Sequence, residues 1–313
     1  MLFLGTPEFA VPTLKELIAF PQTEVVGVVC QPDRPSGRGK KVALPPVKEC
    51  ALEHNIPVYQ PFSLAKQPEV VEELNRLESD LIVMVAFGQI LKKAVLNMPK
   101  KGVMNLHGSL LPKWRGAAPI NWSIMNGDTT AGITTMFTDV GVDTGPMLLK
   151  AEVALTEEMT AIDLAHVLSD VGSKLVITTI EKLIDGTLVP IPQDDSQHTY
   201  APILTKEMGI VDWTMDAVQI QNRVRGLQPW PGSSSNFKGN ALKLLKTKAK
   251  GDHSAEAKNG TLFLEGQELL VACGPSGRER LQLIDVQPAS KNKMPASSWA
   301  NGIHLKSGEE AFD

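Results

Sequence analysis

Three residues whose types suit the catalysis of acyl transfer lie in two nearby segments of the chain. The first segment contains Asn105 and His107, and the second contains Asp143. Residues 103–107 are short, apolar and alternating, which predicts a buried strand with Asn105 and His107 on one face. Gly108 ends this strand. We therefore expect the polar pair at the carboxyl end of a strand, where open α/β sheets bind ligands.

The chemistry that these side chains suit is transfer of an acyl group to an amine. In that reaction the carbonyl oxygen gains negative charge, and the attacking nitrogen must lose a proton. The Asn105 amide and a protonated His107 can donate hydrogen bonds to the oxyanion, and loss of one such donor typically costs about 10² to 10³ in rate. The Asp143 carboxylate can keep His107 protonated and can accept the proton of the amine directly or through water.

Other interpretations of the same residues stay open at this point. A histidine at a strand end is often structural, and Asp143 could simply form an Asx turn. Ser109, His107 and Asp143 could form a hydrolase triad. However, a nucleophile two residues from its base, without a GxSxG elbow, is poorly placed for that role. The shared face of Asn105 and His107 favours acyl transfer.

Short apolar runs alternate with amphipathic stretches over the first two hundred residues. Strands are predicted at 25–29, 81–87, 103–107, 133–137 and 147–149, and helices at 12–20, 70–77, 117–125 and 160–184. This rhythm predicts an α/β domain with a mostly parallel sheet and helices on both faces. Gly5-Thr6-Pro7 stands where a dinucleotide-binding fold would have GxGxxG, so we expect neither NAD nor FAD.

The second part of the chain has a different pattern. A proline-rich, polar stretch at 186–202 predicts a linker, and a helix is predicted at 215–227. Strands at 233–237, 241–248, 261–264, 268–272 and 281–286 predict a small antiparallel barrel, with a hairpin turn between Leu264 and Glu268. The expected domains are a catalytic domain at 1–186, a linker at 187–205 and a C-terminal domain at 206–313.

Composition limits the function classes. The chain has 313 residues and a formal net charge of −4, but residues 204–313 contain 14 Lys and Arg against 12 Asp and Glu. No apolar run approaches the roughly 18 to 20 residues that span a membrane, and the start lacks the basic flank of a signal peptide. Cys30, Cys50 and Cys273 are odd in number and form no CxxC motif, so we expect a reduced, cytoplasmic protein without a metal site.

One extended motif resembles the signature of a known family. Asn105-x-His107-Gly-Ser-Leu-Leu-Pro-x-x-Arg-Gly, together with Asp143-Thr-Gly, is similar to that of the folate-dependent formyltransferases. Further segments resemble the branch of the family that formylates methionyl-initiator tRNA, and the likeness runs nearly end to end. These segments are Gly5-Thr-Pro-Glu-Phe-Ala, Gln31-Pro-Asp-Arg-Pro-x-Gly-Arg-Gly-Lys-Lys, Arg115-Gly-Ala-Ala-Pro-Ile and Pro229-Trp-Pro-Gly.

The resemblance implies roles for individual positions. Asn105, His107 and Asp143 match the catalytic trio, and the formyl donor would be 10-formyltetrahydrofolate. The segment Ser109, Leu110, Leu111 and Pro112 matches the one that contacts the folate. The walls of the pterin pocket would be formed by Phe87, Gly88, Gln89, Ile90, Leu91, Asp139, Val140, Gly141 and Val142. The implied fold is a Rossmann-like domain followed by an OB-like barrel.

The resemblance also implies a nucleic-acid partner. A basic loop among Gly and Pro residues would reach the acceptor stem of initiator methionyl-tRNA, with Arg38 as its principal contact. Lys206 and the basic strand at 243–250 would meet the RNA backbone. The predicted tRNA contacts are Arg34, Arg38, Lys40, Lys41 and Lys206. We expect a monomer with no membrane partner.

Three rival functions are kept alongside this one. The same chemistry could serve a small amine, such as a nucleotide sugar or glycinamide ribonucleotide, although a small acceptor would not need the basic loop. A formyltetrahydrofolate hydrolase would pass the formyl group to water. A non-enzymatic RNA-binding protein would use the loop and the barrel while the trio was structural, which the spacing of the trio disfavours.

Overall fold

The computed structural model describes residues 1–36, 41–253 and 255–313 of the chain. These residues form two compact units. The first contains residues 1–119, 130–154 and 165–201, and the second contains residues 120–129, 155–164 and 202–313. The domain boundaries expected from the sequence remain a proposal.

The described residues form the following helices and strands. The strands are β1 (Leu2–Gly5), β2 (Gly27–Val29), β3 (Arg34–Ser36), β4 (Lys41–Ala43), β5 (Val58–Tyr59), β6 (Ile82–Val85), β7 (Val103–His107), β8 (Arg115–Gly116), β9 (Thr130–Phe137), β10 (Met147–Ala154), β11 (Tyr200–Ala201), β12 (Ser233–Phe237), β13 (Asn240–Asp252), β14 (Leu262–Glu265), β15 (Glu268–Cys273), β16 (Glu279–Pro288) and β17 (Met294–Pro295). The helices are α1 (Val11–Ala19), α2 (Pro46–Glu53), α3 (Pro68–Asn75), α4 (Lys93–Leu96), α5 (Pro119–Met125), α6 (Ala161–Ile184), α7 (Ala217–Gly226) and α8 (Ala296–Gly302).

The first unit contains a seven-stranded sheet with the order β10-β9-β7-β6-β1-β2-β5. Five neighbouring strands, β7, β6, β1, β2 and β5, are parallel to one another. At the other edge, β9 runs antiparallel to β7, and β10 runs antiparallel to β9. The central strands are almost continuously apolar because both faces are covered. Leu2, Leu4, Val29 and Ile82 are fully or almost fully buried in one core cluster. The prediction of a mostly parallel, Rossmann-like α/β sheet is confirmed.

The sheet edge differs from the prediction in one place. The sequence predicted a strand at 147–149, but β10 continues to Ala154. After Leu148 its residues alternate between half-buried and exposed, with Lys150 and Glu152 on the exposed side. An edge strand can expose every second side chain to water. The polar residues at these positions interrupt the apolar run, so the sequence pattern predicted only the first part of β10.

The second unit is built on an antiparallel sheet with the order β12-β13-β16-β15-β14, to which β17 adds through β16. Its core packs Trp213, Phe237, Trp299 and Phe312 against apolar strand residues. Glu265 pairs with Glu268 across a two-residue turn, as the predicted hairpin requires. Within the described residues β12 and β14 do not pair, so the expected OB-like barrel is present as an open antiparallel sheet.

The stretch predicted as a linker has structure of its own within the first unit. Tyr200 and Ala201 pair with Arg115 and Gly116 in a parallel two-stranded sheet. Ile191 bridges to Met147, the first residue of β10. The sequence did not predict these contacts, because a stretch of proline and polar residues has no strand periodicity. Among the helices of the described residues, none combines the length and the apolar composition that a membrane span requires.

Candidate active site

Asn105 and His107 lie at the carboxyl end of β7, where the sequence predicted them. The strand ends at His107 and is followed by Gly108. Parallel pairing with β6 places Asn105 beside Met84, and antiparallel pairing with β9 places His107 beside Thr134. Both side chains are less than one tenth exposed. Because they are two residues apart on one strand, they share a face of the sheet.

Asp143 reaches this face through a loop whose path the sequence did not reveal. The loop leaves β9 at the other end of β7, where the Thr138 N–H donates to the Val103 carbonyl at 2.8 Å. It then folds back, so that Asp143 Oδ2 lies 3.6 Å from His107 Nδ1. The structure therefore brings the amide, the imidazole and the carboxylate of the predicted trio into one site.

The hydrogen bond of His107 defines the role of each ring nitrogen. Its Nε2 lies 2.9 Å from the carbonyl oxygen of Trp114. A carbonyl can only accept, so Nε2 carries a proton. Nδ1 then faces the Asp143 carboxylate at 3.6 Å, a contact that becomes attractive when Nδ1 is also protonated. In the imidazolium form, Nε2–H donates to the Trp114 carbonyl and Nδ1–H lies beside the Asp143 carboxylate.

Two polar groups of the trio are free to form hydrogen bonds with a substrate. The Asn105 carboxamide makes no hydrogen bond within the residues that the structure describes. Asp143 Oδ2 accepts from the Gly116 N–H at 2.9 Å. Its other oxygen, Oδ1, has no hydrogen-bond partner among the described residues. The site therefore offers an amide donor on one side and an unoccupied carboxylate oxygen on the other.

The hydroxyl of Ser109 is directed away from a nucleophilic role. It donates to the Lys113 carbonyl at 2.6 Å, and the Ser109 carbonyl accepts from the Thr134 hydroxyl at 2.6 Å. These bonds brace the loop that follows β7 and leave no Ser109–His107 hydrogen bond among the described residues. The geometry disfavours the triad hypothesis.

Two further side chains hold this loop and were missed in the sequence. Thr134 also accepts from the Leu111 N–H at 3.2 Å. The Lys150 ammonium donates to the Leu111 carbonyl, and although the side chain is largely exposed, partial desolvation of the ammonium lowers the pKa of Lys150. Both residues lie on neighbouring sheet strands, so only the strand pairing reveals their contact with the loop.

The residues expected to line the pterin pocket lie on two loops and combine buried anchors with exposed apolar side chains. Phe87 and Leu91 are buried, whereas Ile90, Val140 and Val142 are exposed. An exposed apolar side chain at a site edge is available to a flat heterocycle. These placements are consistent with the predicted role but leave it a prediction.

Hydrogen bonds fix the shape of both loops. The Gln89 carboxamide accepts from the Leu64 N–H at 2.9 Å and donates to the Pro61 carbonyl at 3.1 Å. Asp139 Oδ1 accepts from the Gly141 N–H at 2.9 Å and from the Thr144 hydroxyl at 2.7 Å. Gln89 and Asp139 therefore support the predicted pocket walls through the backbone.

The predicted tRNA contacts are only partly described. Arg34 is exposed in β3, which pairs with β4, and Lys206 is exposed beside a 3₁₀ turn at Glu207–Gly209. Arg38 and Lys40 lie outside the described residues, as does the side chain of Lys41. In the second unit, β13 exposes four lysines of the predicted basic strand: Lys243, Lys246, Lys248 and Lys250. Lys246 and Lys250 pair with Glu158 and Glu268 at 3.3 and 2.9 Å.

A substitution at Gly116 tests the support of Asp143. Gly116 has a φ of +123°, and an added Cβ would lie 2.6 Å from the Ala201 carbonyl oxygen. We expect Gly116→Ala to destabilise the protein by about 1 to 3 kcal/mol and to lower activity, because the Gly116 N–H that holds Asp143 must shift. Urea unfolding and kcat measure the two effects.

The matched control is Gly186→Ala. Gly186 also has a positive φ, +69°, but no atom lies within 4 Å of its added Cβ. This variant carries the backbone strain without the clash and should keep its kcat. A Gly116→Ala protein with the stability and the kcat of the control would contradict the assigned role of Gly116.

Comparison with known proteins places the chain in a family. The family model described as formyl transferase matches residues 1–180, and the model of the formyl transferase C-terminal domain matches residues 203–304. A methionyl-tRNA formyltransferase of Clostridium perfringens is 49% identical over 317 residues, covering 99% of this chain and 98% of the relative. One from Clostridium novyi is 47% identical over 306 residues, covering 98% of this chain and 97% of the relative.

A solved structure supports the fold. The N-formyltransferase from Helicobacter canadensis, in complex with folinic acid and dTDP-3-aminofucose, matches with a TM-score of 0.68 at 18% identity, over 90% of this chain and 98% of that chain. At this sequence identity the match supports the fold alone. The two family models and the near-complete coverage of the curated relatives carry the assignment: the chain belongs to the formyl transferases, in the branch of the methionyl-tRNA formyltransferases.

Proposed function

We propose that this protein transfers the formyl group of 10-formyltetrahydrofolate to the amino group of methionyl-initiator tRNA. The observation that carries the chemistry is the meeting of Asn105, His107 and Asp143 at one edge of the sheet, with Asp143 Oδ2 3.6 Å from His107 Nδ1. The assignment of methionyl-tRNA as the acceptor is supported by the curated relatives, which are named methionyl-tRNA formyltransferases and match nearly the whole chain.

In the proposed first step, the amino nitrogen of methionine attacks the formyl carbon. The carbonyl oxygen becomes an oxyanion that accepts hydrogen bonds from the Asn105 amide and from Nδ1–H of His107. Donors placed before the reaction stabilise this charge more than water does, because they need no reorganisation. Since Nε2 of His107 is bound to Trp114, Nδ1 is the ring nitrogen left to act on the substrate.

In the proposed second step, the nitrogen loses its proton and the folate leaves. Asp143 Oδ1 takes the proton directly or through a water, while Oδ2 stays bound to the Gly116 N–H. The bond between the formyl carbon and the folate nitrogen then breaks, and that nitrogen gains a proton from the same relay. One C–N bond forms, one breaks, and the proton count of the enzyme is restored.

The folate is proposed to lie against Ser109, Leu110, Leu111 and Pro112 and between the loops of Phe87 to Leu91 and Asp139 to Val142. Exposed apolar side chains at Ile90, Val140 and Val142 would cover the ring faces. Backbone groups of the same loops would read its edge. We propose further that the protein acts as a monomer in the cytoplasm, without a metal, NAD or FAD.

The experiment that tests the acceptor follows the formyl group. The protein is given 10-formyltetrahydrofolate with charged initiator tRNA, uncharged initiator tRNA, glycinamide ribonucleotide or water alone. We expect formylation of the charged tRNA only. Formylation of the small amine would favour that rival acceptor, and formate released without an amine would favour the hydrolase.

A separate prediction concerns the basic loop. We expect Arg38→Ala to raise KM for charged tRNA and to reduce the slope of log affinity against log salt by about one unit, because one phosphate contact is lost. KM for the folate should not change. Titrations at several salt concentrations measure the slope.

The control for the loop is Lys15→Ala, which removes an exposed cation from α1. It should leave both the affinity for tRNA and the slope unchanged. A flat salt response of the wild-type protein would argue against RNA binding through phosphates. An equal loss of folate and tRNA binding in Arg38→Ala would mean that the loop serves the folate site.

A further inference from the structure

The segment expected to be a linker sends one side chain to the loop that carries Asp143. The Nε2 group of Gln193 donates to the carbonyl oxygens of Asp143 and Gly145, both at 2.8 Å. One carboxamide therefore holds two carbonyls on either side of Thr144. No other side-chain donor reaches these two carbonyls within the described residues.

Arg115 fixes the orientation of that carboxamide. Its guanidinium is almost fully buried, and Nε donates to Gln193 Oε1 at 2.9 Å. Its Nη2 donates to Asp195 Oδ1 at 2.8 Å. Because arginine can only donate, it holds the oxygen of the Gln193 amide and leaves the NH₂ group facing the loop.

The backbone of Asp143 has a conformation that such contacts can hold in place. Its φ is +53°, in the left-handed region that residues other than glycine rarely occupy. Unusual backbone conformations persist where the surroundings hold them, and they cluster at functional sites. The amide of Gln193 binds the carbonyl of this residue and that of Gly145, so it restrains the backbone that aims the carboxylate at His107.

We propose that Gln193 is a positioning residue for Asp143, and that Arg115 acts through Gln193. The connecting segment is then part of the active site as well as a connection. Gln193 and Arg115 touch no reacting atom in this proposal; they set the direction of the Asp143 carboxylate. The proposal rests on the proposed function, in which Asp143 takes the proton.

The kinetic test uses Gln193→Leu, which keeps the size of the side chain and removes its donor. We expect kcat for formyl transfer to fall on the order of 10- to 100-fold, because a small misplacement of a catalytic group has effects of this size. KM for the folate and for charged tRNA should change less than about threefold, since neither substrate binds Gln193 in this account.

The matched control is Gln228→Leu in the second unit. The NH₂ group of Gln228 also donates to two backbone carbonyls, those of Val224 and Leu245, at 3.2 and 2.8 Å. This control removes two side-chain to backbone hydrogen bonds of the same kind and leaves the loop of Asp143 intact. We expect it to lower the melting temperature while kcat stays at the wild-type value.

Amide exchange provides a readout that does not depend on activity. The Gly116 N–H donates to Asp143 Oδ2, so it reports on the position of the carboxylate. In Gln193→Leu its hydrogen exchange should accelerate on the order of tenfold, whereas Gln228→Leu should leave it unchanged. If the wild-type protein proved unable to formylate charged tRNA, the proposed function would fail, and this exchange measurement would still test the positioning.

Arg115→Lys is the second variant, in case Gln193→Leu does not fold. A lysine keeps the positive charge for Asp195 but lacks the fork that also binds Gln193. We expect a smaller loss of kcat than in Gln193→Leu and faster exchange at Gly116. Wild-type kcat and wild-type exchange in a folded Gln193→Leu, or in Arg115→Lys should the first variant not fold, would overturn the proposal.

Discussion

Asp143→Asn is expected to bind 10-formyltetrahydrofolate as the wild-type protein does and to turn over about 10² to 10⁴ times more slowly, the range of general acid–base effects. The asparagine keeps the shape of the side chain, and its oxygen can still accept from the Gly116 N–H. It carries no negative charge for the proton of His107, and it cannot take a proton from the amine. Folate titration and single-turnover kinetics separate binding from chemistry.

The control for this variant is Asp80→Asn. Asp80 is an exposed carboxylate of the first unit that lies 3.7 Å from Lys100. It should keep the wild-type kcat, which shows that loss of one negative charge alone has no effect. Near-normal turnover of Asp143→Asn would contradict the role of Asp143 in proton transfer.

Asn105→Leu is expected to lower kcat by about 10² to 10³, the usual consequence of removing one oxyanion donor. Leucine is similar in size and has no N–H. Stability should change little, because the Asn105 carboxamide binds no group within the described residues. A loss of kcat with an unchanged melting temperature is the combined signature, measured by steady-state kinetics and calorimetry.

Asn121→Leu gives the opposite pattern and serves as the control. The Asn121 amide donates to the Gly226 carbonyl at 2.7 Å, within the second unit. Its loss should lower the melting temperature and leave kcat unchanged. If Asn105→Leu lost stability and kept kcat, the amide would be structural and another donor would have to serve the oxyanion.

The sequence predicted the centre of the site because local signals agree there. In the apolar segment 103–107 the polar residues Asn105 and His107 stand two positions apart, and Gly108 follows, so the bounds of β7 were predicted without error. Alternation alone then places Asn105 and His107 on one face. Asp143 was chosen for the chemistry of its carboxylate, and the family resemblance supported that choice, because its own surroundings would fit an ordinary turn equally well.

The support of the site could not be predicted because it depends on tertiary contacts. Gln193 lies in a polar, proline-rich stretch that predicts no regular element, and its bonds to Asp143 and Gly145 join residues about fifty positions apart. Arg115 was noticed as part of a motif, but its burial and its bond to Gln193 have no periodic signal. The same holds for the fold-back of the Asp143 loop.

Short helices and edge strands were also missed in the sequence. The helices α2 at Pro46–Glu53 and α8 at Ala296–Gly302, each about two turns long, were not predicted. β13 runs to Asp252, past the predicted end at 248, because its exposed lysines interrupt the apolar pattern. Propensity and periodicity thus predicted the buried elements, whereas the predicted bounds of exposed strands were too short.

Identification of the product of formyl transfer distinguishes this function from its rivals. Wild-type protein, 10-formyltetrahydrofolate and methionyl-initiator tRNA are incubated, the ester is hydrolysed in mild base, and the released amino acid is analysed by mass spectrometry. We expect N-formylmethionine in amounts that match the folate consumed, and only traces with Asp143→Asn. Free methionine together with formate, or full product from Asp143→Asn, would contradict the proposed function.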